Sequence, residues 1–310
     1  MFSNLKQQLK WLAPITVLVI VILVFLSQIP QIISAEVGPE VIVKNQPAEI
    51  SVTAVVKPKW YSLPIIYARL VKPGKTINTF TGKAAFLGFL RKTGKDTSGN
   101  SVYTGRFSVN RGTAETEQVQ LKTLWSKEAY PSQEIYKNDV YPKAFTWPTL
   151  RLAVSTRNFT LPPDSGEAGK ATLEGIDSDH DGVRDDIQRE IFFQYPESER
   201  MRKGFSQVLT TYGNQIYAVA TSTINQIQQA VFLAKVCRQS LLGIRFGGFN
   251  SNASKHLEEV ENWLSTIDVN SELRSNRGKQ ISNLIDYTII YTAPKPPTNA
   301  CVFDWQSLPD

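Results

Sequence analysis

EGIDSDHDGVRDDIQREI, residues 174–191, divides the chain in two: β-like sequence precedes it and helix-like sequence follows. Asp177, Asp179 and Asp181 fall at every second position, and Gly182 follows at once. Carboxylates this close repel one another and gain nothing from burial unless a cation sits among them. Ca²⁺ fits best, because it takes roughly six to eight oxygens at ~2.4 Å from a loop that turns sharply at a glycine. Counted from Asp177, the acids occupy loop positions one, three and five and Gly182 position six. Val183 at seven offers its backbone carbonyl, and Asp185 at nine a carboxylate or a water-mediated ligand. Gln188 at twelve offers one neutral oxygen. His180, at position four, points to solvent in such a loop. The competing reading is an acidic linker in which Asp185 and Asp186 favour the positive N-terminus of the helix that follows. That role uses only the last two acids and leaves three unexplained.

The loop resembles an EF-hand as far as Gly182. It departs at position twelve, where an EF-hand places a bidentate glutamate, and at Val183, which is apolar directly after the glycine. DSDHDGVRDD, residues 177–186, is more similar to the DxDxDGxxD calcium repeats of thrombospondin type 3 and of bacterial exported proteins. The resemblance covers ten residues, occurs once, and implies extracellular, structural Ca²⁺. Without an acidic twelfth ligand, the affinity falls toward the ~10⁻⁴–10⁻³ M of extracellular modules.

An exported location has its own support. Residues 11–33, WLAPITVLVIVILVFLSQIPQII, carry no charge. As a helix this stretch reaches ~34 Å, enough for a bilayer core of ~30 Å. Lys6 and Lys10 precede it and Glu36 and Glu40 follow, so the positive-inside rule leaves residues 1–10 in the cytoplasm and exports the rest. We read a single-pass membrane anchor. The alternative is a cleaved signal segment, for which Ser34-Ala35 offers small residues but Ile33 fits poorly. Export makes Cys237 and Cys301, the two cysteines of the chain, a natural disulfide pair.

Charge is uneven. Residues 36–163 hold 18 Lys and Arg against 9 Asp and Glu, whereas residues 164–310 hold 14 against 19. A basic module thus precedes an acidic one. It either faces an anionic surface such as lipid headgroups or cell-wall polymer, or is simply a lysine-rich solvated surface. Nucleic acid does not fit an exported chain.

Residues 36–160 alternate as strands do. Glu49–Val56 has period two, Ile65–Val71 and Ala84–Leu90 are further strands, and TGKDTSGN at 93–100 is a turn. In Ser101–Val109, Tyr103, Phe107 and Val109 face one way and Val102, Thr104, Arg106 and Ser108 the other. Glu117–Leu124 and Leu150–Thr156 extend the set. About seven short strands predict an all-β sandwich. SGNSVYTGRFSV, residues 98–109, resembles the late hairpin of bacterial immunoglobulin-like modules, in which a Y-x-G-x-F strand follows a small-residue turn. That resemblance implies a spacer or binding module. The stretch 125–148, with Trp125, Tyr130, Tyr136, Tyr141 and Trp147, is either a stacking surface for sugars or a partner, or a long loop packed on a sheet.

Residues 161–176 read as a linker, with Pro162, Pro163 and three glycines. The loop at 177–188 leads into a helical domain, 185–293. Ile187 and Ile191 start a short helix that Pro196 stops. Met201, Phe205, Val208, Tyr212, Ile216, Val219, Ile227, Val231, Ala234 and Leu241 then recur at helical spacing, as one long helix or two in line. Leu257, Val260, Leu264 and Ile267 mark a third helix. Leu273, Ile281 and Leu284 mark a fourth, ended by Pro294, with a tail at 294–310. A bundle of about four helices follows.

The expectation is therefore a membrane-anchored, exported binding or scaffolding protein of the cell envelope. Its partner would be an envelope protein or polysaccharide, and a structural Ca²⁺ would sit at the domain junction. The alternative is an envelope hydrolase acting on cell-wall material. No G-x-S-x-G or H-E-x-x-H is present, and Glu258 and Glu261 share a helix face without further chemistry.

Overall fold

A computed structural model describes residues 31–57, 65–72, 85–124, 148–217, 221–248, 250–268, 270–282 and 300–310. The apolar segment 11–33 lies outside them except at its end, where Ile32 and Ile33 open a β-strand. The aromatic stretch 125–147 and the second half of the fourth predicted helix also lie outside. No helix among the described residues is long and apolar enough to cross a membrane. Among the described residues a large β-sheet is followed by five α-helices, and the chain divides into two compact units.

The first unit comprises residues 1–39, 47–110 and 117–152. Its strands are β1 (Ile32–Gly38), β3 (Ala48–Val56), β4 (Ile65–Val71), β5 (Ala85–Lys95), β6 (Ser101–Val109), β7 (Thr116–Leu124) and the start of β8 (Thr149–Ser155). With β2 (Val41–Val43), the order along the sheet is β1-β3-β6-β5-β4-β7-β8-β2. β3 and β6 pair antiparallel over nine residues, from Ala48 opposite Val109 to Val56 opposite Ser101. Period-two burial follows the sequence: Ile50, Val52, Ala54 and Val56 are buried on β3, and Tyr103, Phe107 and Val109 on β6. β5 takes part in two ladders. Ala85–Leu90 pairs with β4, and Arg91–Lys95 pairs with β6, with an irregularity in each register. The β5–β6 turn is built by Asp96, whose carboxylate accepts hydrogen bonds from the Ser98 and Asn100 amides and the Asn100 side chain at 2.8–2.9 Å.

The glycine in the Y-x-G-x-F strand has a packing reason. A Cβ at Gly105 would lie 2.5 Å from Phe107 Cζ, and one at Gly88 would lie 2.7 Å from Phe107 Cε1. The Phe107 ring, 8% exposed, therefore lies against bare backbone of its own strand at Gly105 and of the neighbouring β5 at Gly88. We expect Gly105→Ala to destabilise this unit by about 1–3 kcal/mol, the usual range for overpacking. A lower urea midpoint at unchanged m-value would show it. An unchanged midpoint would mean that the ring swings clear.

The second unit is assembled from residues 40–46, 111–116 and 153–310. β2 runs parallel to the end of β8, Val41 opposite Ala153 and Val43 opposite Ser155. Val41 and Ala153 pack with Phe192 and Phe193 of α1 (Asp185–Gln194), together with Phe159 and Leu161. The helices continue with α2 (Glu199–Tyr217), α3 (Thr221–Arg245), α4 (Ser251–Asp268) and α5 (Glu272–Ser282). The second predicted helix is thus two, α2 and α3. Met201, Phe205, Val208, Val231, Ala234 and Leu241 are buried on them, as the helical spacing requires. Val260 of α4 joins the same core.

Cys237 of α3 and Cys301 form a disulfide that spans 64 residues of sequence, with Cα atoms 5.0 Å apart. The chain around Cys301 is docked. The Gln207 side chain donates to the Ala300 carbonyl (2.8 Å) and accepts from the Val302 amide, while Arg200 donates to the carbonyls of Trp305 (2.9 Å) and Leu308 (2.8 Å).

Candidate metal site

Residues 161–176, although rich in proline and glycine, are held by two buried arginines of the second unit. Arg189 of α1 donates to the Pro162 carbonyl (2.8 Å) and pairs with both oxygens of Glu40 at 2.6 and 2.8 Å. Arg274 of α5 is 0% exposed and donates to the carbonyls of Gly169 (2.6 Å), Thr172 (3.0 Å) and Leu173 (3.1 Å). The acidic loop therefore lies inside the second unit, between a pinned approach segment and α1.

The loop closes on itself. The Asp185 amide donates to the Ile176 carbonyl at 2.8 Å, joining the two ends. The Gly182 amide donates to Asp177 Oδ2 (3.0 Å), the Val183 amide to Asp181 Oδ1 (2.8 Å), and the Ser178 amide to Asp185 Oδ1 (2.8 Å). Gly182 has φ of 85°, the left-handed region in which a side chain is strained, and exposed His180 reaches φ of 56°.

Of the six residues that the spacing nominates, the fold brings three together. One oxygen each from Asp177, Asp179 and Asp185 lie within 4.8 Å of one another, a group that could hold a metal ion. Two oxygens on opposite sides of an ion with ~2.4 Å bonds would stand about as far apart. Asp181 is outside this group. Its Oδ2 accepts from the Gln188 amide at 3.0 Å, and the same amide nitrogen donates to Asp179 Oδ2 at 3.1 Å. Gln188 thus puts a hydrogen-bond donor, not an oxygen, against the carboxylates, and its Oε1 is buried without a hydrogen-bond partner. The Val183 side chain enters the helical core.

Asp185 stands out. It is 1% exposed, and its Oδ2 has no hydrogen-bond partner; Asp177 Oδ1 is in the same condition. A buried carboxylate oxygen without a donor is costly. The charges respond to the fold. The Gln188 amide holds the Asp179 carboxyl below its ordinary range, whereas partial burial and the charges of Asp179 and Asp177 push Asp181 up.

Asp186, the next residue, points elsewhere. Its oxygens accept from Arg184 at 3.0 and 3.1 Å and from the Asn270 amide at 2.6 Å, and Arg274 stands 3.9 Å away. Burial opposes its charge, but Arg184, Asn270 and Arg274 together hold its carboxyl below the usual range. Sequence reasoning passed over this cluster, because Asn270 and Arg274 lie 84 and 88 positions away, one just before α5 and the other within it. A lone arginine beside the exposed Leu273 gives no local signal.

No known protein family and no curated protein matches the chain. Among solved structures, the CARDB domain of PF1109 from Pyrococcus furiosus, determined in solution, is similar at 15% identity. It covers 42% of this chain and 99% of that one, with a TM-score of 0.24. The crystal structure of the same domain in complex with di-metal ions matches at 14% identity, covers 40% and 88%, and has a TM-score of 0.22. Likenesses of this extent carry no argument about the site.

Proposed function

We propose that the chain is an exported, membrane-anchored binding or scaffolding protein of the cell envelope, with an immunoglobulin-like β-sandwich and a helical unit stabilised by structural Ca²⁺. The observation that carries the calcium reading is Asp185 Oδ2, buried without a donor and grouped with the carboxylates of Asp177 and Asp179. The helix N-terminus accounts for negative charge at Asp185 and Asp186, but not for carboxylate oxygens left without donors among other acids. Calcium suits an all-oxygen, flexible donor set, and the Val183 carbonyl and Gln188 Oε1, with its amide turned, would add neutral oxygens. Three carboxylates and a neutral twelfth residue make a weak site, sufficient where calcium is abundant. The Cys237–Cys301 bridge supports an oxidising compartment.

The test is a calcium titration of thermal stability. For a dissociation constant of ~10⁻⁴ M, 1 mM Ca²⁺ contributes about 1.4 kcal/mol, a rise of a few degrees in melting temperature. Asp179→Ala and Asp185→Asn should each remove the rise. A melting temperature identical in Ca²⁺ and in chelator would sink the proposal.

A further inference from the structure

Beside the loop lies a cleft of about 320 Å³, walled by the end of β8 and the residues after it, by α1 and by α2. Such a volume is at the small end of the ~300–1,000 Å³ of ligand pockets. One wall is a fixed cation on an aromatic pair. The rings of Phe159 and Phe192 stack at 4.5 Å, and the Arg202 guanidinium lies 4.8 Å from the Phe192 centroid and 5.7 Å from that of Phe159. Two backbone carbonyls, Tyr195 and Pro196, hold it there at 2.8 and 3.1 Å. Two more cations reach the rim. Lys203 is exposed, and Arg157 pairs with Glu199 at 3.4 Å in a partly exposed contact that a stronger anion can displace. The opposite wall is shared with the acidic loop, since Asp181 and Gln188 line the cleft.

We propose that this cleft binds a small carboxylate-bearing molecule, and that it does so when the adjoining loop holds Ca²⁺. The inference rests on the calcium reading above. Arg202, Lys203 and Arg157 supply cations for one carboxylate, and the Phe159 edge supplies an apolar contact for the rest of a molecule one residue in size. The loop decides whether an anion is admitted. Without a cation, Asp181 opposes it from the cleft wall, Asp177 and Asp179 add to the negative charge of the loop, and both N–H bonds of the Gln188 side chain are spent on Asp179 and Asp181. A divalent ion offsets that repulsion. An amide that gives its oxygen to the ion also has its N–H donors left for the cleft.

The carboxylate could come from an acidic sugar or from an acidic amino acid, and the experiment separates them. Isothermal titration of the full chain would use calcium alone, then D-glucuronate, L-glutamate and, as a neutral control, D-glucose, each in millimolar Ca²⁺ and in chelator. We expect one of the two acids to bind with Ca²⁺ and to weaken about tenfold or more in chelator. The tighter acid names the source. Lys203→Glu should abolish acid binding while calcium still binds, no more weakly than in the parent, because the added negative charge lies near Asp181. A normal calcium isotherm with neither acid binding would overturn the cleft proposal alone. So would glucose binding as tightly as glucuronate, or acid binding indifferent to chelator. A missing calcium isotherm would overturn the metal reading and this one with it.

Discussion

Replacing Arg274 by methionine is expected to lower the stability of the helical unit by about 3 kcal/mol, the scale at which a buried, charged hydrogen-bonding group is lost. The side chain is wholly buried and serves three backbone carbonyls and the Asn270 side chain (2.6 Å). Removing it strands those acceptors and leaves Asp186 with Arg184 and Asn270 alone. Arg274→Lys should recover little, because one ammonium cannot reproduce a planar fork that reaches acceptors on several sides. Denaturant unfolding would measure both variants. If Arg274→Met lies within 1 kcal/mol of the parent, the approach segment is held by something other than this residue. The same variant should weaken calcium binding, since Asp186 follows Asp185 directly and fixes the first turn of α1.

Loss of the Cys237–Cys301 bridge should cost more. With a sequence separation of 64 between the partners, the chain-entropy model assigns about 4 kcal/mol. A Cys237→Ser/Cys301→Ser variant should therefore melt well below the parent. Proteolysis should begin at residues 302–310, where Val302 is already 82% exposed. A reductant should reproduce the effect in the parent and leave the variant unchanged. Equal stability of the two would mean that Arg200 and Gln207 suffice to hold the tail.

The strands were legible where period two ran long enough to be seen. Glu49–Val56 and Ser101–Val109 alternate over eight and nine residues, and their burial follows that alternation. β2 was not, because three residues carry no period, and β1 was hidden because Ile32 and Ile33 also end an apolar run long enough for a bilayer. In the helices the apolar stripe located the core of α2 and α3. It misled at α5, where Leu273 is 48% exposed and the neighbouring Arg274 is buried instead. Hydropathy ranks those two residues the other way. The backbone carbonyls of a distant segment, together with Asn270 and Asp186, make the arginine the better interior residue, and no spacing rule sees them. At the loop, spacing nominated Asp177, Asp179 and Asp185 together with Asp181, but it could not tell that Asp177 and Asp185 each keep a buried oxygen without a donor while the Gln188 amide engages both Asp179 and Asp181. That distinction depends on which rotamers the closed loop allows.

The second unit is stitched from three separated pieces of chain, and this bears on how the protein can be dissected. A fragment begun at residue 161, the place the prolines and glycines invite, would omit Glu40, Val41, Thr116 and Ala153. Arg189 would lose its carboxylate, the Phe193 carbonyl would lose the Thr116 hydroxyl, and the pair Phe192 and Phe193 would lose the strands that cover it. Such a fragment should be sticky and poorly soluble even with its disulfide and its acidic loop intact. Recombinant work on the helical half is better served by keeping the chain whole and cutting nowhere, or by grafting residues 40–46 and 111–116 back through designed connectors.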